Sequence, residues 1–184
     1  MAEITLITGG CRSGKSSFAE SLFLKMAGPH YYVATAPNID GEMNARIESH
    51  RERRKKYGWL TIEDELDLSN SILITDGGSV LIECLTLWVN NLIYHGQKNG
   101  KNIDESTVAE RSDELVELAK RAGGNIIFVT NEVGMGIMPE NATARLYGDL
   151  VGRCNQIIAE SADKVYFMVS GIPTLIKGEK NGES

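Results

Sequence analysis

The segment GGCRSGKS, residues 9–16, decides the fold class that this sequence predicts. It matches the phosphate-binding pattern GxxxxGK[ST], whose glycines let backbone N–H groups turn inward around phosphate oxygens. The β-branched run ITLIT, residues 4–8, precedes it, and apolar residues at helical spacing follow it over residues 16–27. Because strand, loop and helix occur in the required order, a chance glycine-rich turn is the weaker interpretation, and we predict a nucleoside triphosphate site.

Strands alternate with helices along the rest of the chain. The patterns predict strands at 31–35, 80–83, 125–130 and 164–170, helices at 44–57, 85–94, 105–121 and 141–161, and a polar loop at 97–104. Residues 71–78 suit either a separate strand or half of a hairpin. The alternation predicts an α/β protein with a P-loop NTPase fold, a mostly parallel sheet with helices on both faces. We see no internal repeat or linker, so we expect residues 1–184 to form a single nucleotide-binding domain.

Composition excludes several other classes of protein. Of 184 residues, 42% are hydrophobic and 24% charged, and the net charge of −6 disfavours a nucleic-acid binder. Cys11, Cys84 and Cys154 are widely spaced and odd in number, which suits a reducing cytoplasm rather than a disulfide framework. With no signal-peptide pattern and no apolar run near the roughly 18 residues of a membrane span, we expect a cytoplasmic protein without a membrane span.

The phosphate-loop motif predicts roles for its own side chains, and its metal ion requires a carboxylate from another part of the chain. Lys15 is expected to reach the β- and γ-phosphates, and Ser16 to hold Mg²⁺. A carboxylate at the end of a neighbouring strand usually orders the metal shell. Glu83, which follows the apolar run at 80–82, is the better candidate and Asp76 the alternative. Glu83 as a simple helix-capping charge also stays open.

A phosphate loop alone does not choose between a small-molecule kinase, a motor ATPase and a switch GTPase. The chain is too short for most motors and lacks a guanine-selective NKxD motif, which favours a kinase. A nucleotide-switch or regulatory ATPase without catalytic turnover of a second substrate remains an alternative.

A kinase activity alone gives no role to the basic stretch MNARIESHRER, residues 43–53. In a helix, Arg46, His50, Arg53 and Arg54 share one side. Guanidinium groups disfavour protonation of an adjacent imidazole, and a neutral imidazole is a competent nucleophile toward phosphorus. From spacing alone, a solvated surface helix is slightly favoured, and nucleic-acid binding is disfavoured because no aromatic residues are interleaved.

Taken together, the motifs resemble those of the adenosylcobinamide kinase/adenosylcobinamide-phosphate guanylyltransferase family of cobalamin synthesis, from Leu6 to about Lys177. They are TGGCRSGKS (8–16), YVAT (32–35), EMNARIESHRERR (42–54), WLTIE (59–63), IECLTLWVNNL (82–92), VTNEVGMGI (129–137), PEN (139–141), GRCNQ (152–156) and VSGIP (169–173). The TNEVGMG run is the most specific of them.

The resemblance implies a bifunctional enzyme. Such an enzyme phosphorylates the aminopropanol hydroxyl of adenosylcobinamide, with ATP or GTP as donor. It then transfers GMP from GTP to adenosylcobinamide phosphate and releases pyrophosphate, giving adenosylcobinamide-GDP. The family histidine that becomes guanylylated corresponds to His50. A homotrimer is also implied, and a P-loop kinase without transferase activity remains the alternative.

The resemblance also implies a set of site residues. His50 and Lys15 are the expected catalytic residues, and Ser16 and Glu83 the metal-binding ones. Glu63 stands where family members recognise the guanine edge, whose two N–H donors a carboxylate can accept. The expected nucleotide-binding residues are Gly9, Gly10, Cys11, Arg12, Ser13, Gly14, Lys15, Ser16, Ala34, Thr35, Ala36, Arg51, Glu52, Arg53, Arg54, Glu63 and Glu83. Asn131 and Glu132, at the end of a strand, are candidate substrate contacts.

Overall fold

The computed structural model describes residues 2–36 and 56–179. Within these ranges, seven strands form one sheet. The strands are β1 (Ile4–Gly9), β2 (His30–Ala34), β3 (Leu60–Glu63), β4 (Ser79–Ile82), β5 (Ile126–Val129), β6 (Lys164–Val169) and β7 (Ile172–Lys177). The helices are α1 (Lys15–Phe23), α2 (Leu68–Leu73), α3 (Leu85–Lys98), α4 (Glu105–Arg121) and α5 (Ala142–Ser161).

The strand order is β3-β2-β4-β5-β1-β6-β7. All neighbouring pairs are parallel except β6 and β7, which form an antiparallel hairpin. The predicted α/β class with a mostly parallel sheet is therefore confirmed. The six parallel strands all end at the same side of the sheet, here named the carboxyl edge; the opposite side is the amino edge. Ligands of open α/β sheets bind at the carboxyl edge.

Helices cover both faces of the sheet, as predicted. Ile4 and Leu6 of β1 belong to the larger core cluster, which they share with residues of α2, α3, α4 and α5. Ile7 points to the other face and packs with Ala19 and Phe23 of α1. All five side chains are at most 1% exposed. Burying each large apolar side chain contributes about 1.5–3 kcal/mol, so this alternation stabilises both layers.

The strand or hairpin predicted for residues 71–78 is wrong. Helix α2 occupies the first part of that segment, and a turn that ends at Gly78 occupies the rest. The Asp67 carboxylate caps the helix by accepting a hydrogen bond from a first-turn amide. Asp64 accepts from two more backbone amides before the helix and from the Ser71 hydroxyl. These local side-chain contacts start a helix despite the β-branched apolar residues that suggested a strand.

Other differences concern element ends and the two sheet edges. Helix α1 ends at Phe23 rather than residue 27, and α3 continues to Lys98, into the predicted polar loop. Strands β3 and β7 were not predicted from the sequence. Pro173 lies in β7, and proline is tolerated there because β7 is an edge strand. Most of the predicted helix at 44–57 lies outside the described residues.

Across residues 2–36 and 56–179, none of the helices has both the length and the apolar character needed to cross a bilayer.

Candidate active site

The phosphate loop leaves β1 at the carboxyl edge in a conformation that ordinary residues rarely adopt. The φ angle is 146° at Gly9, 56° at Arg12 and 95° at Gly14. A Cβ atom at Gly9 would lie 2.6 Å from the Met168 carbonyl oxygen, so glycine is required there. Where residues with left-handed backbone conformation alternate with residues in the right-handed conformation, successive N–H groups line a concave surface that binds anions.

Helix α1 begins directly after this loop and faces it with its amino terminus. Gly14 is the N-cap residue and offers no side-chain cap, and the first turn, all of it described, contains no acidic residue. The first amides of a helix lack partners within the helix and carry the positive end of its dipole. The start of α1 is therefore suited to a phosphate group.

Lys15 is held inside the loop. Its Nζ donates to the Gly9 carbonyl oxygen at 3.0 Å and to the Gly10 carbonyl oxygen at 2.6 Å. Burial lowers the pKa of the Lys15 ammonium, and the thiolate charges of Cys84 and Cys11 would oppose that shift. An ammonium group that burial has partly desolvated gains more from an anionic partner than an exposed one does.

The Ser13 hydroxyl adds a further polar group to the loop. Ser13 is 8% exposed, and its Oγ has no hydrogen-bond partner within the described part of the chain. Buried polar groups in folded proteins are normally paired. A phosphate oxygen would supply the acceptor that this hydroxyl lacks.

The hairpin between β6 and β7 supports the loop from outside. Ser170 and Gly171 form its two-residue turn, with φ angles of 50° and 86°. The Gly171 N–H donates to the Ser13 carbonyl oxygen at 2.9 Å. Sequence reasoning missed this support, although Ser-Gly between two apolar runs is a hairpin signal.

Five of the other predicted site residues meet at the carboxyl edge. The Glu83 N–H donates to a carbonyl oxygen of β2 at 3.0 Å, and the Thr35 hydroxyl donates to the Cys84 carbonyl oxygen at 2.9 Å. Glu63, at the end of β3, is in register with Ala34 of β2. Ala36 follows at the same edge. These residues come from three strands far apart in sequence, and the parallel sheet aligns their ends.

The position of Glu83 differs from the prediction in one respect. Its strand, β4, does not neighbour β1, because β5 lies between them. Asp76, the alternative carboxylate, is excluded: it precedes β4 and so lies at the amino edge, where it lines a cavity with Gly77 and Arg121. Glu83 is half-buried at the correct edge.

Glu63 lies at the far end of the site. Three strands, β2, β4 and β5, separate β3 from β1. At 4.7–4.9 Å for each of four strand spacings, the Glu63 end of the edge is about 19 Å from the strand that carries the phosphate loop. A nucleotide bound to both must extend along the edge.

His50 and the nucleotide-binding candidates Arg51, Glu52, Arg53 and Arg54 lie outside the described residues. The first described range ends at Ala36, two residues after the end of β2.

The end of β5 carries two polar residues directly beside β1. Glu132 Oε1 accepts hydrogen bonds from the Thr8 hydroxyl at 2.7 Å and from Asn155 Nδ2 at 3.4 Å. Asn131 Nδ2 donates to Thr86 Oγ1 at 2.8 Å. Both residues thus stand between the phosphate loop and the end of β4. Their role as substrate contacts stays a prediction.

Beyond Glu132, the chain and helix α5 enclose a cavity of about 380 Å³. Tyr147, whose hydroxyl donates to the Thr86 carbonyl oxygen at 3.3 Å, forms part of its wall. The remaining lining residues are Val133, Gly134, Gly136, Ile137, Met138, Pro139, Ala144, Arg145, Gly148 and Asp149. Ile137 is 98% exposed and Met138 72%. A mostly apolar cavity whose wall begins one residue after Glu132, which is hydrogen-bonded to Gly9, suits a second, larger substrate.

Residues 2–36 and 56–179 contain no group of three or more His, Cys, Asp or Glu side chains that could hold a metal ion. Mg²⁺ seldom needs such a group, because substrate phosphates and water supply most of its ligands. A hydroxyl at the start of α1, Ser16, and one carboxylate, Glu83, fit that type of site.

Comparison with known proteins identifies the family. The model of the family "cobinamide kinase / cobinamide phosphate guanyltransferase" matches residues 5–176. This chain belongs to that family. The match spans the phosphate loop, the carboxyl edge, the TNEVGMG run and the β6–β7 hairpin together.

Individual relatives agree over almost the whole chain. The chain is 41% identical over 180 residues to the bifunctional adenosylcobalamin biosynthesis protein CobU of Escherichia coli (strain K12), covering 94% of this chain and 98% of that protein. It is 39% identical over 176 residues to CobP, of the same description, from Pseudomonas aeruginosa, covering 95% and 97%.

A solved structure supports the fold alone. The KaiC-like protein PH0186 of Pyrococcus horikoshii OT3 superposes with a TM-score of 0.56 at 18% identity, covering 90% of this chain and 70% of that one. The P-loop NTPase fold predicted from the phosphate loop is thereby confirmed.

Proposed function

We propose that this chain is a bifunctional enzyme of cobalamin synthesis that phosphorylates adenosylcobinamide and then transfers GMP from GTP to the resulting phosphate. The phosphate loop carries this proposal: its backbone, Lys15 and the uncapped start of α1 converge on one place, within a chain of the cobinamide kinase family. The product of the second step is adenosylcobinamide-GDP.

The kinase step uses the loop as a cradle. Amides of residues 9–16 hold the phosphates of ATP or GTP, and Lys15 exchanges its two carbonyl partners for the γ-phosphate oxygens. Ser16 and Glu83 would hold Mg²⁺, which would supply positive charge beside the phosphates. The exchange costs little, because a charged phosphate is a stronger hydrogen-bond acceptor than a peptide carbonyl.

The acceptor is expected in the cavity between residues 133–139 and α5. Cobinamide offers a broad apolar ring and uncharged amides, which suit apolar walls with few charges. Arg145 and Asp149, both in the wall, have opposite charges. The aminopropanol arm would extend from this cavity along Val133 and Glu132 toward the phosphate loop, because the Glu132 N–H is hydrogen-bonded to Gly9.

The guanylyl step uses His50. Its neutral imidazole nitrogen attacks the α-phosphorus of GTP and forms an N–P bond. The bond between the α-phosphorus and the α,β-bridging oxygen breaks, and pyrophosphate leaves with the electron pair. An oxygen of cobinamide phosphate then attacks the same phosphorus and releases His50. Arg51, Arg53 and Arg54 neutralise the departing pyrophosphate, and Glu63 accepts the guanine N–H donors.

Several features of the assembly are part of the proposal. The family resemblance supports a homotrimer, the cysteine usage supports a cytoplasmic protein, and the single seven-stranded sheet supports one nucleotide-binding domain over residues 1–184. The acidic net charge supports small-molecule substrates rather than nucleic acid.

Incubation with α-labelled GTP tests the proposal. We expect a protein-bound label that is stable in alkali and labile in acid, as a phosphoramidate is. His50→Asn should lose the label and the transferase activity and keep most kinase activity, because the phosphate loop is unchanged.

His95→Asn is the matched control, since His95 is partly exposed on α3 and its Nε2 lies 3.9 Å from the Glu65 carboxylate. Label retained in the His50 variant would place the nucleophile elsewhere. A wild-type protein with kinase activity and no label would be a kinase without transferase activity.

A further inference from the structure

The TNEVGMG run contains a carboxylate, Glu132, that has no role in the proposed kinase and guanylyl steps. Glu132 follows β5, the strand hydrogen-bonded directly to β1. Its backbone N–H donates to the Gly9 carbonyl oxygen at 3.2 Å, and Lys15 Nζ donates to the same oxygen at 3.0 Å. One peptide oxygen of the phosphate loop thus joins Glu132 to the lysine that follows the γ-phosphate.

The Glu132 carboxylate is oriented through one oxygen only. Oε1 accepts from Thr8 and from Asn155, whereas Oε2 has no hydrogen bond within residues 2–36 and 56–179. Asn155 is itself fixed, because its Oδ1 accepts from Thr130 Oγ1 at 2.7 Å and its Nδ2 also donates to the Asn131 carbonyl oxygen at 3.1 Å. The carboxylate therefore has a defined direction and one oxygen left for a further donor.

The position of Glu132 relative to the cavity indicates which donor this is. Val133, the next residue, is the first of the cavity wall. Glu132 therefore connects the wall of the cavity, through Val133, with the phosphate loop, through the hydrogen bond to Gly9. Glu83 would bind the metal in the proposed function, and Asp76 lies at the opposite edge of the sheet.

We propose that Glu132 is the catalytic base of the kinase step, an inference that rests on the proposed function. The acceptor hydroxyl transfers its proton to Glu132 Oε2 as its oxygen forms a bond to the γ-phosphorus. The bond between that phosphorus and the β,γ-bridging oxygen breaks, and its electron pair stays on the departing nucleoside diphosphate. The proton later leaves Glu132 to water. Protein kinases use a carboxylate in the same role.

A purely structural Glu132 makes a different prediction for one variant. Glutamine has the same length and keeps an amide oxygen that accepts from Thr8 and Asn155, although a neutral oxygen accepts more weakly than a carboxylate, so the fold would tolerate Glu132→Gln. If Glu132 is the base, the same variant loses the group that takes the proton. General-base catalysis contributes about 10²- to 10⁴-fold.

The test compares Glu132→Gln, Glu132→Asp and Glu140→Gln in the full-length chain, with cobinamide and ATP as substrates. For Glu132→Gln we expect the kinase kcat to fall about 10²- to 10⁴-fold, with the KM for ATP and the melting temperature unchanged. Glu132→Asp should recover part of that loss. Glu140→Gln, the same chemical change at an exposed site in the same loop, should match wild type.

A second measurement separates this inference from the proposed function. GMP transfer to chemically prepared cobinamide phosphate should proceed normally in Glu132→Gln. A kcat for the kinase within threefold of wild type in Glu132→Gln would overturn the inference alone. Equal loss of both activities, or a lowered melting temperature, would show a structural role and also overturn it. A wild-type chain inactive toward cobinamide would overturn the proposed function itself.

Discussion

The two edges of the sheet carry cavities of nearly equal size and different character. The cavity at the carboxyl edge measures about 380 Å³ and the one at the amino edge about 360 Å³. The wall of the former begins at Val133, directly after the strand-end residues Asn131 and Glu132, and the Glu132 N–H is hydrogen-bonded to Gly9 of the phosphate loop. The latter lies beside the end of α4, at Arg121 and Ala122, and the turn at Asp76. Volume alone therefore does not distinguish a site from a gap in packing.

Backbone polarity does distinguish them. At the carboxyl edge, helix α1 presents unpaired N–H groups and glycines open the backbone toward a ligand. At the amino edge, Gly124 follows the end of α4 rather than preceding a helix start, and it packs so closely against the Gly78 carbonyl oxygen that a Cβ atom would not fit. The difference teaches that glycines mark function here only where they accompany a helix start.

The largest expected effect concerns Lys15. Lys15→Ala should lower the kinase kcat at least about a hundredfold, because the γ-phosphate loses the cation that stabilises its charge in the transition state. Arg121→Ala removes a cation from the wall of the amino-edge cavity and should leave activity unchanged. Steady-state kinetics with ATP and cobinamide measure both. Normal turnover in a folded Lys15→Ala protein would contradict the assignment of kinase activity to the phosphate loop at the carboxyl edge.

The next effect concerns the two rival carboxylates. Glu83→Gln should raise the Mg²⁺ concentration needed for half-maximal kinase activity by about 10- to 100-fold, since groups that order a metal shell contribute that much to affinity. Asp76→Asn is the control. Its φ of 44° suits asparagine, so the fold should tolerate the change. Equal Mg²⁺ requirements in wild type and Glu83→Gln would remove Glu83 from the metal site.

Glu63 tests how far the site extends along the carboxyl edge. Glu63→Ala should reduce the preference for GTP over ATP in the transferase step by roughly 1–3 kcal/mol, because unpaired guanine donors are costly. Glu65→Ala, two residues later and beyond the end of β3, should keep the preference. Competition between labelled GTP and unlabelled ATP for protein labelling measures the change. An unaltered preference would exclude Glu63 from base recognition.

The smallest expected effect comes from filling the carboxyl-edge cavity. Gly148→Leu adds a side chain to its wall, where a Cβ atom meets nothing within 4 Å, and leucine favours the helix. We expect the KM for cobinamide to rise roughly tenfold, equivalent to about 1.4 kcal/mol, while the KM for ATP stays constant. Gly152→Leu, one turn later on α5 and outside the cavity lining, is the control. If both variants behave alike, the acceptor binds elsewhere.

Much of this molecule follows from the sequence alone. The phosphate loop depends on neighbours in the chain: Gly9 and Gly14 adopt positive φ angles, and Lys15 bonds to carbonyl groups five and six residues before it. Apolar periodicity likewise identifies the long helices and the buried strands. Such features are readable because contacts within a few residues decide them.

Tertiary structure decided which distant residues meet. Nothing local reveals that β5 lies between β1 and β4, so sequence reasoning expected Glu83 beside the phosphate strand, whereas Glu132 occupies that position. Asp76 was a plausible alternative until the direction of β4 placed it at the amino edge. The Gly171 contact with the loop depends on the β6–β7 hairpin. Strand order and direction follow from burying both faces of one sheet, a condition that the whole chain satisfies together.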